Sequence, residues 1–261
     1  MKMWTLPAKF ANSNTYNCRQ QFYNYWPHNK YFYIHNIMGL IQHTAGVSLF
    51  VQVITGIIDY YVLTLPTSSE LKLLHDLLLL EFIVQIVEGI FYIWLVFSIT
   101  TAANITLNRY WDWFITTPTM LITFSTFLVY LNLKSRGTEL IPSFTTIIGE
   151  NFKTYFSIVI LNTLMLVFGY LGELKIISVF QSVFWGFIPF FIMFYMIYDK
   201  FAKYTELGTS MFWYFVIVWG LYGVAACLSY KIKNTSYNIL DLFAKNFFGL
   251  FLAYVLYVNY K

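Results

Sequence analysis

Seven long apolar stretches, parted by short polar segments, run along the chain at roughly residues 35–63, 74–100, 107–132, 152–172, 176–202, 209–231 and 237–259. Each reaches the ~20 residues that an α-helix needs to cross about 30 Å of hydrocarbon. No stretch has the period-two alternation of a barrel strand. Helices are therefore predicted, because a backbone inside a bilayer must satisfy its own hydrogen bonds. The connections are short, apart from one near 133–151, so the expected fold is an all-α, seven-helix membrane bundle over 35–261. Residues 1–34 form a polar and aromatic tail without the apolar core of a signal peptide.

The exceptions to the apolar pattern carry the chemistry. Asp241 and Lys245 are four residues apart in the last stretch, and Arg109, Asp112 and Thr116 share one face of the third. Glu81, Gln85 and Glu88 form a polar stripe on the second. A charged side chain at the centre of a lipid-facing helix costs about 2.5–3.5 kcal/mol, so these groups are expected to point inward. Arg109 and Lys245 balance Asp112 and Asp241, as a buried set of charges should. Two readings follow. The set is a salt-bridge lock between helices, or it is a site in which a lysine amine condenses with an aldehyde and the carboxylates act as counterions. Trp113, Trp185, Trp219 and Tyr222 would then wall a flat ligand; otherwise they pack the bundle.

Composition agrees with a membrane protein. The chain is 59% hydrophobic, 22% aromatic and 11% charged, with net charge +4. A soluble domain carries about a quarter charged residues. Mean hydropathy is +0.61. Four histidines and two cysteines show no metal-ligand spacing, and Cys18 and Cys227 make no disulfide framework. No nucleic-acid partner is expected, and enzymatic chemistry is not. Basic residues divide evenly between the two sides and set no orientation. The sequons at Asn104 and Asn234, read as lying on loops, favour an extracellular N-terminus and a cytoplasmic C-terminus. His43 of the first helix reads as a packed, hydrogen-bonded histidine, with a place on an inter-subunit surface or along an internal path as the alternatives.

The third-helix string Arg-Tyr-x-Asp-Trp-x-x-Thr-Thr-Pro, residues 109–118, resembles the matching helix of proton-pumping bacteriorhodopsins. The seventh-helix string Asp-Leu-x-x-Lys-Asn-x-x-Gly-Leu, residues 241–250, is similar to that of algal channelrhodopsins. Trp219-Gly-Leu-Tyr222-Gly223 resembles the Trp-x-x-Tyr/Phe-Pro of the sixth helix, with Gly223 in place of proline. The Asn-, Tyr-, Lys- and Phe-rich style is similar to rhodopsins of giant viruses. The resemblance is thus to microbial rhodopsins and runs from about residue 35 to the end.

That resemblance implies all-trans retinal as a protonated Schiff base on Lys245, with Asp112 as primary counterion and proton acceptor and Asp241 as the second. It implies that Arg109 lies toward the extracellular side, that Thr116 bonds Asp112, and that Trp113 and Trp219 sandwich the chromophore. Thr117, Met120, Met165, Gly169, Trp185 and Tyr222 would complete the pocket. Met120 suggests green absorption, and Thr117 would pair with Asn162. Outward pumps of the family place a proton-donating carboxylate where this chain has Thr123, giving an Asp-Thr-Thr motif. A hydroxyl is a poor donor near neutral pH, which leaves Glu81 as a substitute. Channelrhodopsins build a central gate from a first-helix Ser, a second-helix Glu and the Asn after the lysine, here Ser48, Glu88 and Asn246.

The expected function is a light-gated cation channel passing protons or monovalent cations through a bilayer, in a homo-oligomer. A light-driven outward proton pump is the alternative, and a sensory photoreceptor a further one.

Overall fold

The structure, a computed structural model, describes residues 27–98, 104–138 and 140–260, with side chains from residue 39 onward. Residues 1–26 of the expected tail, Cys18 among them, lie outside the described residues. Seven helices are long and apolar enough to cross a membrane: Gly39–Leu63, Ser69–Ser98, Ile105–Ser135, Phe152–Glu173, Val179–Ala202, Glu206–Ala226 and Tyr230–Tyr260. They are called the first to seventh spans below.

Each span packs on the next in sequence, and the seventh returns against the first and second, which closes the ring. The third and seventh are the most enclosed, with 56% of their most apolar window buried against 28–39% for the others. These two spans also hold the most buried polar groups. Large apolar side chains such as Phe50, Phe97, Trp111 and Phe180 face outward instead. An apolar exterior around a partly polar centre is what lipid as solvent requires.

Local chemistry fixes the ends. Asn104 caps the third span by accepting from the Thr106 and Leu107 amides. Ser178 and Gln181 form a reciprocal capping box on the fifth. Gly137, at φ +68°, turns the chain after the third span, a conformation open to glycine at little strain. Pro118 lies inside the third span. The hydroxyls of Thr116 and Thr117 bond the Asp112 and Trp113 carbonyls one turn back, at 2.9 and 2.7 Å, beside the proline that interrupts the ladder.

Four sequence expectations change. The first helix begins at Pro27, well before residue 35. The long connection holds a short helix, Phe144–Glu150. The seventh helix begins at Tyr230, not 237, so Asn234 is buried inside the bundle rather than on a loop. With Asn104 engaged as a cap, neither sequon argues for an orientation. His43 is exposed on the outer face of the first span, not packed inside; its neighbours Ile41 and Ala45 take the buried face.

Candidate functional site

The seventh span is not a regular α-helix throughout. Between Leu242 and Asn246 it widens into a π-helical turn, a feature that recurs at functional sites. The wider turn lets two consecutive polar residues, Lys245 and Asn246, both face inward, together with Asp241 one turn earlier.

Lys245 Nζ donates to Asp112 Oδ2 at 2.7 Å. Glu88 Oε1 lies 3.4 Å away and Asp241 Oδ1 3.9 Å away. Asp241 also accepts from Tyr222 and Tyr92, both at 2.7 Å, and from Arg109 at 3.3 Å. Arg109 in turn reaches Asn234 and Asn238, and Asn238 ties back to the first span at Ile41 O and Thr44 Oγ1. The charge balance read from sequence is thereby altered. Glu88 adds a third carboxyl group to two acids and two bases, all buried. An uncompensated charge in a dry interior is costly, so neutrality calls for one proton shared among the three acids. Thr116 meets the Asp112 backbone carbonyl rather than its carboxylate.

Beside Lys245 lies a cavity walled mostly by apolar and aromatic groups. Trp113, Thr117, Met120, Met165, Gly169, Trp219 and Tyr222 line it as expected, joined by Tyr110, Phe187, Phe190 and Tyr237. Asn162 donates to Thr117 Oγ1 at 2.8 Å, so the third- to fourth-span pair is made. Trp185 is a correction. On the fifth span the inward face runs through Ser182, Gly186 and Phe190, and Trp185 falls on the other side, half exposed and stacked against Phe168. Gly223 also has a physical reason for not being proline. A Cβ there would sit 2.6 Å from the Phe187 ring. The cavity and the amine at its edge suit a flat apolar molecule joined to Lys245 Nζ.

The three residues read as a gate are all buried but do not bond one another. Ser48 donates to the Asn238 carbonyl at 2.9 Å, and Glu88 faces Lys245. Asn246 instead belongs to an amide cluster: Gln52 donates to its Oδ1 at 3.2 Å, and its Nδ2 donates to Gln85 Oε1 at 3.0 Å and Thr55 Oγ1 at 3.4 Å. Ser48, Gln52, Thr55 and Asp59 thus form a buried polar stripe along the first span. Glu81 and Thr123 are fully buried too, on the side of the cluster away from Arg109.

Sequence reasoning missed this stripe, although its spacing of four, three and four is that of one helical face. Tyr92, four residues after Glu88, and Asn234 and Asn238, spaced toward Asp241, carried the same signal.

A family model described as bacteriorhodopsin-like protein matches residues 41–258. Among solved structures, the viral rhodopsin OLPVRII is similar at a TM-score of 0.70 and 26% identity, over 82% of this chain and 96% of that one. Xanthorhodopsin, titled a light-driven ion pump with dual chromophore, is similar at TM-score 0.65 and 15% identity, covering 86% and 94%. The bromide-bound halorhodopsin of Halobacterium salinarum gives 0.62 and 14%, covering 84% and 94%. These last two share the fold. No curated protein sequence matches the chain.

Proposed function

Because the chain belongs to the bacteriorhodopsin-like family of microbial rhodopsins, whose members bind retinal and are ion transporters or photoreceptors rather than enzymes, we propose that it is a light-gated cation channel with retinal carried on Lys245. When bound, retinal supplies light absorption and a change of shape. The protein's own groups do the rest. The cavity walls, Trp113 and Trp219 among them, hold the ligand. Asp112, at 2.7 Å, accepts the proton from Lys245 Nζ. Asp241, fixed by Tyr92, Tyr222 and Arg109, remains as the charged partner on the Arg109 side.

One observation carries the channel reading: the buried stripe Ser48, Gln52, Thr55 and Asp59 on the first span, facing Gln85, Glu88 and Asn246. Exchange of a proton between Lys245 and Asp112 needs none of these first-span groups. A path for hydrated cations needs such a lining, closed in the dark by side chains bonded to one another. The amide cluster of Gln52, Gln85 and Asn246 is the barrier in this reading, and Ser48 and Glu88 flank it. The acids along the path favour cations over anions. The N-terminus is taken as extracellular, and Arg109 then faces outside.

An outward proton pump is the second reading, favoured by the direct Lys245–Asp112 bond and by the acid Glu81 beyond the amide cluster. The deciding experiment is whole-cell voltage clamp of retinal-loaded cells under green light. A photocurrent that reverses with the cation gradient is expected. An outward current that never reverses would replace the channel with the pump. No current, with a normal visible band, would leave a sensor.

A further inference from the structure

The cavity beside Lys245 runs from the seventh span, past Trp113 and Trp219, to the fourth and fifth spans, where Met165, Gly169, Ser182 and Gly186 line it. Lys245 fixes one end, so a molecule joined to its Nζ carries its other end to this side. Two hydroxyl groups stand there. Tyr110 and Ser182 are both buried, and both line the cavity. Neither hydroxyl enters a hydrogen bond among the described residues. Glu173 acts on the Tyr110 phenol but is held by Lys233 at 2.6 Å. Glycines make room for both groups. The Tyr110 oxygen stands where a Cβ on Gly169 would go, and Ser182 Oγ lies 2.5 Å from the same point on Gly172. Gly169 and Gly172 are three residues apart, so the hydroxyls approach neighbouring points, about 5–6 Å apart, on one face of the fourth span. One oxygen placed between them is within hydrogen-bond reach of both. Trp113 and Tyr170 pack edge-on against the Tyr110 ring, with centroids at 5.1 and 5.4 Å, and hold its oxygen in this direction.

A purely hydrocarbon ring at this end would leave two buried hydroxyls without partners, a cost that a ring bearing an oxygen avoids. We infer that the far end of the cavity is a subsite for a ring oxygen, and that the chain prefers a retinal oxygenated on its ring, as a keto or hydroxy derivative, over plain retinal. This rests on reading Lys245 as the retinal-bearing amine. Tyr110 and Ser182 donate to the ring oxygen, while the aldehyde at the opposite end is the group that Lys245 takes up. The remaining walls of the subsite are small or apolar, Met165, Val183, Gly186 and Phe187 among them. They suit a flat ring with one polar edge and exclude a molecule that is polar all round. Selection then comes from the hydroxyls that the wrong ligand leaves unpaired, which discriminates more sharply than added apolar contact.

The test is a competition for binding, run in the dark. The full chain is prepared without chromophore and offered equimolar mixtures of all-trans retinal with 4-oxoretinal, and of all-trans retinal with 3-hydroxyretinal. Bound chromophore is then extracted and the two forms are counted by chromatography. The wild type should load the oxygenated form in about tenfold excess in at least one of the mixtures. Tyr110→Phe/Ser182→Ala should bring that ratio close to one, and each single variant should lower it part of the way, which also decides the matter if the double variant does not fold. A second readout is the ring carbonyl stretch of bound 4-oxoretinal in the infrared. Hydrogen bonding weakens a C=O bond, so the band should lie lower in the wild type than in Tyr110→Phe. Equal loading of plain and oxygenated forms by the wild type would overturn the inference, as would a ratio that the variants leave unchanged. Absence of a visible band with all three compounds would instead overturn the reading of Lys245 as a retinal-bearing amine, and this inference with it.

Discussion

Glu88 Oε1 lies 3.4 Å from Lys245 Nζ, an amine that Asp112 Oδ2 already holds at 2.7 Å. The three acids near this amine are not equivalent. Asp112 accepts its hydrogen bond, and Asp241 accepts from two tyrosines and Arg109. Glu88 has Lys245 Nζ at 3.4 Å and no shorter, well-aligned hydrogen bond. Glu88 is therefore the acid on which the proton that neutrality demands is expected.

A spectral prediction follows. A negative charge beside Nζ stabilises positive charge there and raises the energy of an excitation that moves that charge away. Asp112→Asn should shift the visible band to the red. Glu88→Gln, replacing one neutral group by another, should leave it close to the wild type. A red shift from Glu88→Gln as large as that from Asp112→Asn would show that Glu88 is ionised.

Asn238 ties Arg109 and Tyr92 to the first span through its own amide. Asn238→Ala would remove four side-chain hydrogen bonds at once, although Tyr92 and Arg109 keep Asp241 and Asn234, at about 2 kcal/mol in sum. Thr44→Val removes only one of these bonds, and interhelical bonds in membranes average about 0.6 kcal/mol. Thermal denaturation in detergent should rank Asn238→Ala well below Thr44→Val and the wild type. Equal midpoints for the two variants would mean that Asn238 is not the anchor.

The number of spans, the Lys245, Asp112 and Asp241 cluster and most of the cavity wall were legible because they rest on two signals: length of apolar runs, and charges at helical spacing within them. What was not legible depends on rotation and on departures from the regular helix. Trp185 belonged on an aromatic list, but the face of the fifth span is set by how it packs against the fourth, and that turns Trp185 outward. The π-turn rotates Asn246 into the Gln52 and Gln85 amides rather than toward Glu88 and Ser48. Asp59 escaped notice because it stands near the end of an apolar run, where an acid ordinarily reaches water.

Gly223 meets Phe187 so closely that any side chain must displace the ring. Gly223→Pro, the residue of the resembled motif, should narrow the cavity and cost about 3 kcal/mol or more, through overpacking and the loss of a backbone bond inside the sixth span. Retinal uptake, read as the visible band per mole of protein, should fall. Gly223→Pro with Phe187→Ala should recover it in part, because the ring clash is then gone while the lost backbone bond is not. Failure of the second change to help would point to the backbone of the sixth span as the cause.

The amide cluster makes the last prediction. Gln52 and Gln85 both bond Asn246, so the barrier proposed above depends on one side chain between two others. Asn246→Ala deletes both bonds at once and opens space in that layer. Gln52→Leu removes one bond and fills the space with apolar volume. If this layer closes the path, Asn246→Ala should raise the cation current in the dark, and Gln52→Leu should lower the current under light. Both are read by voltage clamp at equal surface expression. A pump has no reason to respond this way, since its path needs proton exchange rather than an open bore. Dark currents unchanged in Asn246→Ala, together with light currents unchanged in Gln52→Leu, would move the barrier elsewhere in the bundle.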